Sequence, residues 1–281
     1  MQLAAQIFRR RTLGRALLLS AAIGSRAAFN LARRPLLAFA SAQAGSTASG
    51  PVTLLGQQEA IAIDEELMST PGFSVDQLME LAGLSVASAV ADAYPAAKQV
   101  LIVAGPGNNG GDGLVAARHL YHFGYSATVV YPKRSDKQLF ANLVTQCEQL
   151  QIPVLSELPG DLSGYDVALD AIFGFSFKGT PREPFAGILK ALQVSSIKVM
   201  SVDIPSGWDV EKGDTTGEGL QPEALVSLTA PKKAAAFFQG RHFLGGRFVP
   251  PGLVEKYKLQ LPPYPGVSQI VELKGWKSPE L

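Results

Sequence analysis

The chain has 281 residues, of which 47% are hydrophobic and 17% charged, so it can bury a sizeable core and wholesale disorder is excluded. Its net charge of +1 conceals an uneven distribution, because residues 1–58 contain seven arginines and no acidic residue, which leaves 18 basic against 24 acidic side chains in the remainder. A folded body with that acidic excess is a poor nucleic-acid binder. The single cysteine, Cys147, excludes an intramolecular disulfide, as expected in a reducing compartment.

The first 50 residues have the composition of an organellar transit peptide followed by a linker. Arginines are interspersed with Leu, Ala, Ser and Phe, and acidic residues are absent, which is typical of import sequences. The apolar run 16–23 is far shorter than the roughly 20 residues of a membrane span, so no span is predicted. Residues 44–50 are small and polar, like a linker. We expect this segment to direct the protein to the mitochondrion, with the plastid as the alternative.

Two helices are predicted before the first strand. Residues 57–68 have helical spacing of their apolar side chains. A second helix, 74–94, opens with Ser74 followed by Gln77 three residues later, which is a capping box. Its apolar positions follow a 3.6-residue period. We predict that this second helix packs in the core and carries no catalytic residue.

From residue 100 onward, apolar strands alternate with amphipathic helices. The predicted strands are 100–104, 127–131, 167–170, 199–203 and 225–228, and the predicted helices are 113–123, 136–150, 185–192 and 252–257. Gly124 is expected to end the helix at 113–123 as its C′ residue. The alternation predicts an α/β fold: one Rossmann-like domain at 51–265, with a mostly parallel sheet in three α/β/α layers. Residues 266–281 are predicted to form a C-terminal tail.

Polar, glycine-rich segments occur at the ends of three predicted strands. The first is GPGNNGGD, the second is DAIFGFSFKGTPR and the third is DIPSGWD. In an open parallel sheet, ligands bind at the carboxyl ends of the strands, near the point where the strand order reverses. Glycine permits close approach of a ligand to the backbone, and the amides of Asn108 and Asn109 can donate and accept hydrogen bonds. We therefore predict a binding site for a polar or anionic ligand where the three segments meet.

The string GPGNNG also matches the dinucleotide fingerprint G-x-G-x-x-G, which is a weak signal by itself. A standard NAD site has an acidic residue at the end of the next strand, where this chain has Tyr131, Lys133 and Arg134. The lack of an acidic residue there disfavours NAD. A 2′-phosphate on the ribose could instead meet Lys133 or Arg134, which leaves an NADP-dependent oxidoreductase as an alternative function. A non-enzymatic nucleotide- or lipoprotein-binding protein is a third class, for which the chain contains no motif of its own.

Five longer motifs are ordered along the chain as GPGNNGGDGLVAARHL, DAIFGFSFKG, VDIPSGWDV, LTAPKKAA and GRHFLGGRFVPP. They resemble the NAD(P)H-hydrate epimerase family, whose animal members are also called apolipoprotein A-I-binding proteins, and the similarity extends over residues 52–265. The resemblance implies an isomerase of nicotinamide nucleotide repair. Its substrates would be hydrated NADH and NADPH (NADHX and NADPHX). The enzyme would interconvert their R and S epimers at ring carbon C6, and a separate ATP-dependent dehydratase would then act on the S epimer. It further implies a homodimer, one K⁺ per subunit and, for some members, apolipoprotein A-I as a partner.

The resemblance also implies which residues contact the substrate and the ion. The substrate-binding positions are Asn108, Asn109, Gly110, Gly111, Asp112, Gly174, Phe175, Ser176, Phe177, Lys178, Gly179, Thr180 and Asp203. The potassium position would be formed by Asn109, Asp170 and Ser206. Oxygen donors suit this hard cation, whereas Cys and His would not, and backbone N–H groups in the glycine loops suit the diphosphate of the substrate.

Epimerisation at C6 requires chemistry that these side chains can supply. The C6 hydroxyl lies next to the ring nitrogen, so its loss with a proton gives an iminium-like cation, and water can return on the other face. Such a reaction needs a general acid or base and negative charge near the cation. We expect Asp203 to be the catalytic acid or base, because it ends a strand beside a tight turn. Lys178 is the second catalytic candidate, and Asp170 would act through the ion.

Two groups of residues allow both a functional and a structural interpretation. Lys232 and Lys233 could reach a phosphate or form a solvated pair at a helix start. Phe173, Phe175 and Phe177 could line a slot for the nicotinamide or adenine ring, or pack in the core or a dimer interface. The sequence leaves both alternatives open.

Overall fold

The structure is a computed structural model in which residues 51–274 are described. The predicted transit peptide and linker lie outside the described residues. Within 51–274, none of the helices combines the length and the apolar character that a bilayer crossing requires.

The described residues form one eight-stranded sheet. Its strands are β1 (Gln99–Ala104), β2 (Ser126–Val130), β3 (Val154–Leu155), β4 (Val167–Ala171), β5 (Lys198–Val202), β6 (Ala224–Leu228), β7 (Arg241–Gly245) and β8 (Val271–Glu272). Their order is β3-β2-β1-β4-β5-β6-β7-β8, and neighbours pair in parallel except β7 and β8. The order reverses between β1 and β4, as in doubly wound sheets. The predicted, mostly parallel Rossmann-like sheet is therefore confirmed.

Helices cover both faces of this sheet. They are α1 (Gln57–Ser69), α2 (Val75–Ala93), α3 (Asn108–His122), α4 (Gln138–Gln149), α5 (Phe185–Val194) and α6 (Pro251–Lys256), with a 3-10 helix at Lys233–Phe237. Side chains of α2, α3 and α4 share one apolar cluster with the sheet, and those of α5 share another. A third cluster joins α1 to α6. The arrangement confirms the three predicted layers.

The pattern in β1 shows why the strands have continuous apolar runs. Val100 and Ile102 belong to the cluster under α2, α3 and α4, whereas Leu101 and Val103 belong to the cluster under α5. All four side chains are fully buried. Because helices cover both faces, every position of a central strand must be apolar.

The helix after β1 begins earlier than the sequence predicts. Helix α3 starts at Asn108, not at residue 113, and therefore includes the second half of the glycine segment. Glycine is a poor helix former, but here it permits close packing, since a Cβ on Gly113 would lie 2.7 Å from the Cβ of Ala171 in β4. The predicted end is confirmed, because Phe123 caps the helix and Gly124 follows with a φ of +90°. Tertiary packing, and not helix propensity, sets the start of α3.

Strands β3, β7 and β8 are absent from the sequence prediction. Strands β3 and β8 have two residues each, too few for a hydrophobic pattern, and β7 begins with the polar pair Arg241 and His242. Strand β8 lies in the segment predicted to be a tail, where Val271 pairs with Leu244 of β7.

The capping box at the start of α2 provides a test of local stability. The Ser74 hydroxyl accepts a hydrogen bond from the Gln77 N–H (3.2 Å), and the Gln77 side chain accepts one from the Ser74 N–H (2.9 Å). We expect Ser74→Ala to lower the free energy of unfolding by about 1 kcal/mol, because a first-turn N–H loses its acceptor. Urea unfolding measures this change. Ser69→Ala is the control, since the exposed Ser69 hydroxyl donates only to the Glu66 carbonyl (3.3 Å), which also accepts from the Thr70 N–H (3.0 Å). Equal effects of the two substitutions would contradict the prediction.

Candidate active site

A cavity of about 510 Å³ lies beside the loops that follow β1, β4, β5 and β6, where the strand order reverses. The predicted substrate residues that line it are Asn108, Asn109, Asp112, Gly174, Phe175, Ser176, Phe177, Lys178 and Asp203. Gly179 and Thr180 line an adjoining groove of about 840 Å³, which shares Phe177 and Lys178 with the cavity. Gly110 and Gly111 line neither space. The fold thus brings residues of the three predicted segments together.

The turn between β1 and α3 forms one wall of the cavity. A Cβ on Gly105 would overlap the carbonyl oxygen of Ile172, and a Cβ on Gly110 would overlap the carbonyl oxygen of Gly105. Glycine at both positions therefore lets the turn lie directly against the chain that follows β4. The first residue before α3 is Gly107, which provides no side-chain cap. The N–H groups at this helix start can therefore receive an anionic ligand.

A buried ion pair lies inside the cavity. The Oδ1 atom of Asp203 is 2.5 Å from Nζ of Lys232, and the two side chains are only 5% and 3% exposed. The Oδ2 atom of Asp203 accepts a hydrogen bond from the Phe175 N–H (2.8 Å), and Lys232 also donates to the carbonyl of Leu228 (2.9 Å). Asp203 has a φ of +68°, a strained conformation that is more frequent at functional sites.

The structure places the two neighbouring lysines in different environments. Lys232 is buried in an ion pair with Asp203, so it is not a solvated residue, and its contact with a phosphate stays a prediction. Lys233 instead forms a partly exposed pair with Glu211 at 3.2 Å. The sequence contained a usable signal for Lys232, because LTAPKK follows β6 and the Asp203 segment follows the adjacent β5.

Asp64 of α1 also lines the cavity, and sequence analysis missed it. Burial raises the pKa of Asp64 to about 6; Lys232 opposes the shift, and Asp203 adds to it. Burial also raises the pKa of Asp112 well above its usual range, with further contributions from Asp203 and Asp64. No motif marks Asp64, since α1 precedes the first strand and reaches the site only through tertiary packing.

The raised pKa of Asp64 has a consequence for stability. Protonated Asp64 contributes stability that is fully present below about pH 4, where an unfolded aspartate is protonated, and that is lost as the pH rises through about 6. We therefore expect Asp64→Asn, which cannot ionise, to unfold at a higher temperature than wild type near pH 7. The difference should disappear toward about pH 4. Thermal unfolding across this range measures it, with the exposed neighbour Glu65→Gln as control; a less stable Asp64→Asn near pH 7 would contradict the expectation.

The predicted ion ligands are partly brought together. Asp170 is fully buried and accepts hydrogen bonds from the Ser206 hydroxyl (2.6 Å), the Ser206 N–H (2.9 Å) and the Ser201 hydroxyl (2.7 Å). Burial raises its pKa. Asn109 is buried against Gly174, and its Nδ2 has no hydrogen-bond partner.

This donor set has the chemistry that a hard monovalent cation requires. Among residues 51–274, no lysine or arginine forms a salt bridge with Asp170, and serine hydroxyls can rotate to present oxygen lone pairs. In the same range, no group of three His, Cys, Asp or Glu side chains could hold a metal ion. The residues present therefore fit a cation held by amide, carboxylate and hydroxyl oxygens.

The three phenylalanines after β4 all line the cavity. Phe173 and Phe177 stack on each other with ring centroids 3.9 Å apart, and Phe173 also meets Phe185 edge-on at 5.3 Å. The Phe175 ring lies 5.0 Å from Nζ of Lys232. Both interpretations thus have a structural basis, and contact with a ligand ring stays a prediction.

The fold and the cavity define a class of protein. A doubly wound parallel sheet carries a glycine turn at a helix start, and a cavity containing carboxylates lies at the strand-order reversal. That combination is typical of Rossmann-like proteins that act on nucleotides.

Comparisons with known proteins identify the family. The family model described as YjeF-related protein N-terminus matches residues 75–234. The crystal structure of yeast YNL200c superposes with a TM-score of 0.75 and 42% identity, covering 79% of this chain and all of that one. A curated Arabidopsis thaliana protein named pyridoxine/pyridoxamine 5'-phosphate oxidase 1, chloroplastic, is 54% identical over 241 residues, which is 80% of this chain. The chain spans about half (45%) of that relative's length.

The chain belongs to the YjeF-related N-terminal family, the NAD(P)H-hydrate epimerase family that its motifs indicate. This is a family of isomerases.

Proposed function

We propose that the protein interconverts the R and S epimers of NADHX and NADPHX at C6 of the nicotinamide ring. The observation that carries the proposal is the buried Asp203–Lys232 pair in a cavity that the glycine turn before α3 also lines. A fixed, buried carboxylate stabilises a cation that develops during reaction. The product would be the substrate of an ATP-dependent dehydratase specific for the S epimer.

The residues around the cavity suit separate parts of such a substrate. The N–H groups at the start of α3 would bind the diphosphate. Lys178 is exposed where the cavity meets the adjoining groove, so it can add a charge-assisted phosphate contact or serve as the second catalytic residue. Asp203 would lie next to the reacting ring. Gly110 and Gly111 would contribute through the backbone shape of the turn, and Gly179 and Thr180 through the groove.

Asn109, Asp170 and Ser206 are the proposed ligands of K⁺. When bound, the ion would supply positive charge beside the buried carboxylate of Asp170. The support is the burial of Asp170 without a cationic side chain and the family's monovalent-cation dependence.

The setting of the protein in the cell is also proposed. The arginine-rich first 50 residues favour import into the mitochondrion, and the plastid is the alternative, in line with the word "chloroplastic" in the Arabidopsis relative's name. Homodimer formation and apolipoprotein A-I binding follow from the resemblance to the family alone.

The NADP-dependent oxidoreductase is the weaker alternative. Lys133 and Arg134, the residues expected to meet a 2′-phosphate, donate to the carbonyls of Glu183 (2.9 Å) and Val154 (3.4 Å). Neither residue lines the cavity. The geometry therefore favours the epimerase.

A direct assay tests the proposal. The purified chain is incubated with freshly prepared (R)-NADHX in potassium buffer, and the two epimers are followed by chromatography. We expect interconversion clearly faster than the spontaneous rate measured without protein. No acceleration would overturn the proposal and leave a nucleotide-binding protein, and oxidation of intact NADPH in a parallel reaction would favour the oxidoreductase.

A further inference from the structure

Asp203 is already engaged by the protein on both of its carboxylate oxygens. One oxygen is paired with Lys232 and the other accepts the Phe175 N–H. Lys232 in turn donates to the Leu228 carbonyl. A proton moving onto Asp203 would disrupt a buried ion pair, which is costly. The site therefore needs a proton carrier that is free to change its charge.

Asp64 has a carboxyl group in the same cavity without such engagement. Among residues 51–274, neither a side-chain hydrogen bond nor a salt bridge involves Asp64, although it senses the charges of Lys232 and Asp203. Its side chain is half-buried, so substrate and water can reach it. The other cavity carboxyl, Asp112, is more deeply buried.

Helix α1 is held in a defined position relative to the ion pair. The Leu55 N–H donates to the carbonyl of Pro231 (2.8 Å), and the Lys233 N–H donates to the carbonyl of Leu55 (3.0 Å), on either side of Lys232. The Gln57 side chain donates to the carbonyl of Phe175 (2.6 Å). These hydrogen bonds attach the segment before α1, and the first turn of α1, to the chain around Lys232 and to Phe175, the two residues that contact Asp203. The position of α1, and with it that of Asp64, is therefore fixed relative to the ion pair.

We propose that Asp64 is a further catalytic residue of this site, the group that carries the proton of the reaction. The inference rests on the proposed epimerase function. The Asp64 carboxyl protonates the C6 hydroxyl, the C6–O bond breaks, water leaves and the ring nitrogen shares the positive charge. Water then adds to the other face, a new C6–O bond forms, and the surplus proton returns to the Asp64 carboxylate through water in the cavity. Asp203, fixed by Lys232, stabilises the cation.

The charges around Asp64 agree with this role. Burial raises the pKa of Asp64, Lys232 lowers it and Asp203 adds to the rise. Asp112 and Lys178 are further charged groups that line the same cavity. The net result is a pKa of about 6, and acid–base catalysis is most effective when the pKa lies near the working pH. The acid form is needed for the hydroxyl to leave, so the catalysed rate should fall as the pH rises through this pKa.

The test compares Asp64→Asn with Glu65→Gln in the full chain. Glu65 is the adjacent acidic residue on α1, but it is exposed and lines neither the cavity nor the groove. With (R)-NADHX as the probe, we expect Asp64→Asn to lower kcat by about 100-fold or more with little change in KM. The fall in rate above pH 6 should be lost in this variant. Glu65→Gln should match wild type, and Asp64→Glu should restore part of the rate.

The outcomes separate this inference from the function on which it rests. Acceleration by wild type that persists within threefold in Asp64→Asn overturns the role of Asp64 and leaves the epimerase standing. Absence of acceleration by wild type overturns both. If Asp64→Asn fails to fold, Asp64→Glu decides: an unchanged pH profile in that variant overturns the inference, and a shifted profile supports it.

Discussion

Replacing Lys232 by methionine is expected to lower the free energy of unfolding by about 3–5 kcal/mol and to abolish the acceleration of NADHX epimerisation. The methionine leaves the carboxylate of Asp203, only 5% exposed, without its buried counter-charge. Urea unfolding and the epimer assay measure the two effects. Lys233→Met is the matched control, because its pair with Glu211 is partly exposed and such pairs contribute at most about 1 kcal/mol.

A double substitution separates the structural from the catalytic contribution of this pair. Asp203→Asn alone should also lose most activity, and it leaves Lys232 buried without its partner. The double variant Asp203→Asn/Lys232→Met removes both charges and should recover much of the lost stability, since replacing a whole buried pair is far less costly than breaking it. It should stay inactive, because the fixed carboxylate of Asp203 no longer stabilises the cation. Near-normal turnover in Asp203→Asn would remove Asp203 from the active site.

Alanine at Gly110 is expected to cost more than about 3 kcal/mol, above the usual range for an overpacked side chain, and to prevent accumulation of native protein. The new Cβ would overlap the carbonyl oxygen of Gly105. The carbonyl oxygen is part of the backbone, and the new Cβ is bonded directly to the backbone. Neither atom can rotate away, so the turn before α3 would have to open.

Gly107→Ala in the same turn provides the control. A Cβ there has no neighbouring atom within 4 Å, and its φ of −100° is open to any residue. It should change stability by about 1 kcal/mol or less, the scale of an altered helix N-cap. Thermal unfolding and the soluble yield of the two variants measure the contrast. A Gly110→Ala protein as stable as Gly107→Ala would show that the turn does not pack as described.

Much of the sheet follows from local sequence patterns. The sequence predicts strands β1, β4, β5 and β6 within one residue at both ends, because each is an apolar run buried on both faces. The start of α3 was wrong by five residues, because the glycines that weaken a helix locally are required by its contact with β4. Short strands such as β3 depend on their neighbours for pairing and carry no pattern of their own.

The sequence by itself determined the fold class, the family and the three polar segments after β1, β4 and β5, because these depend on residues adjacent in the chain. Only the tertiary structure decided that Lys232 pairs with Asp203 and that Asp64 faces them from α1. The charge interactions and the raised pKa of Asp64 depend on burial and on the distances between residues far apart in the chain. Both are set only when α1, β5 and β6 pack together.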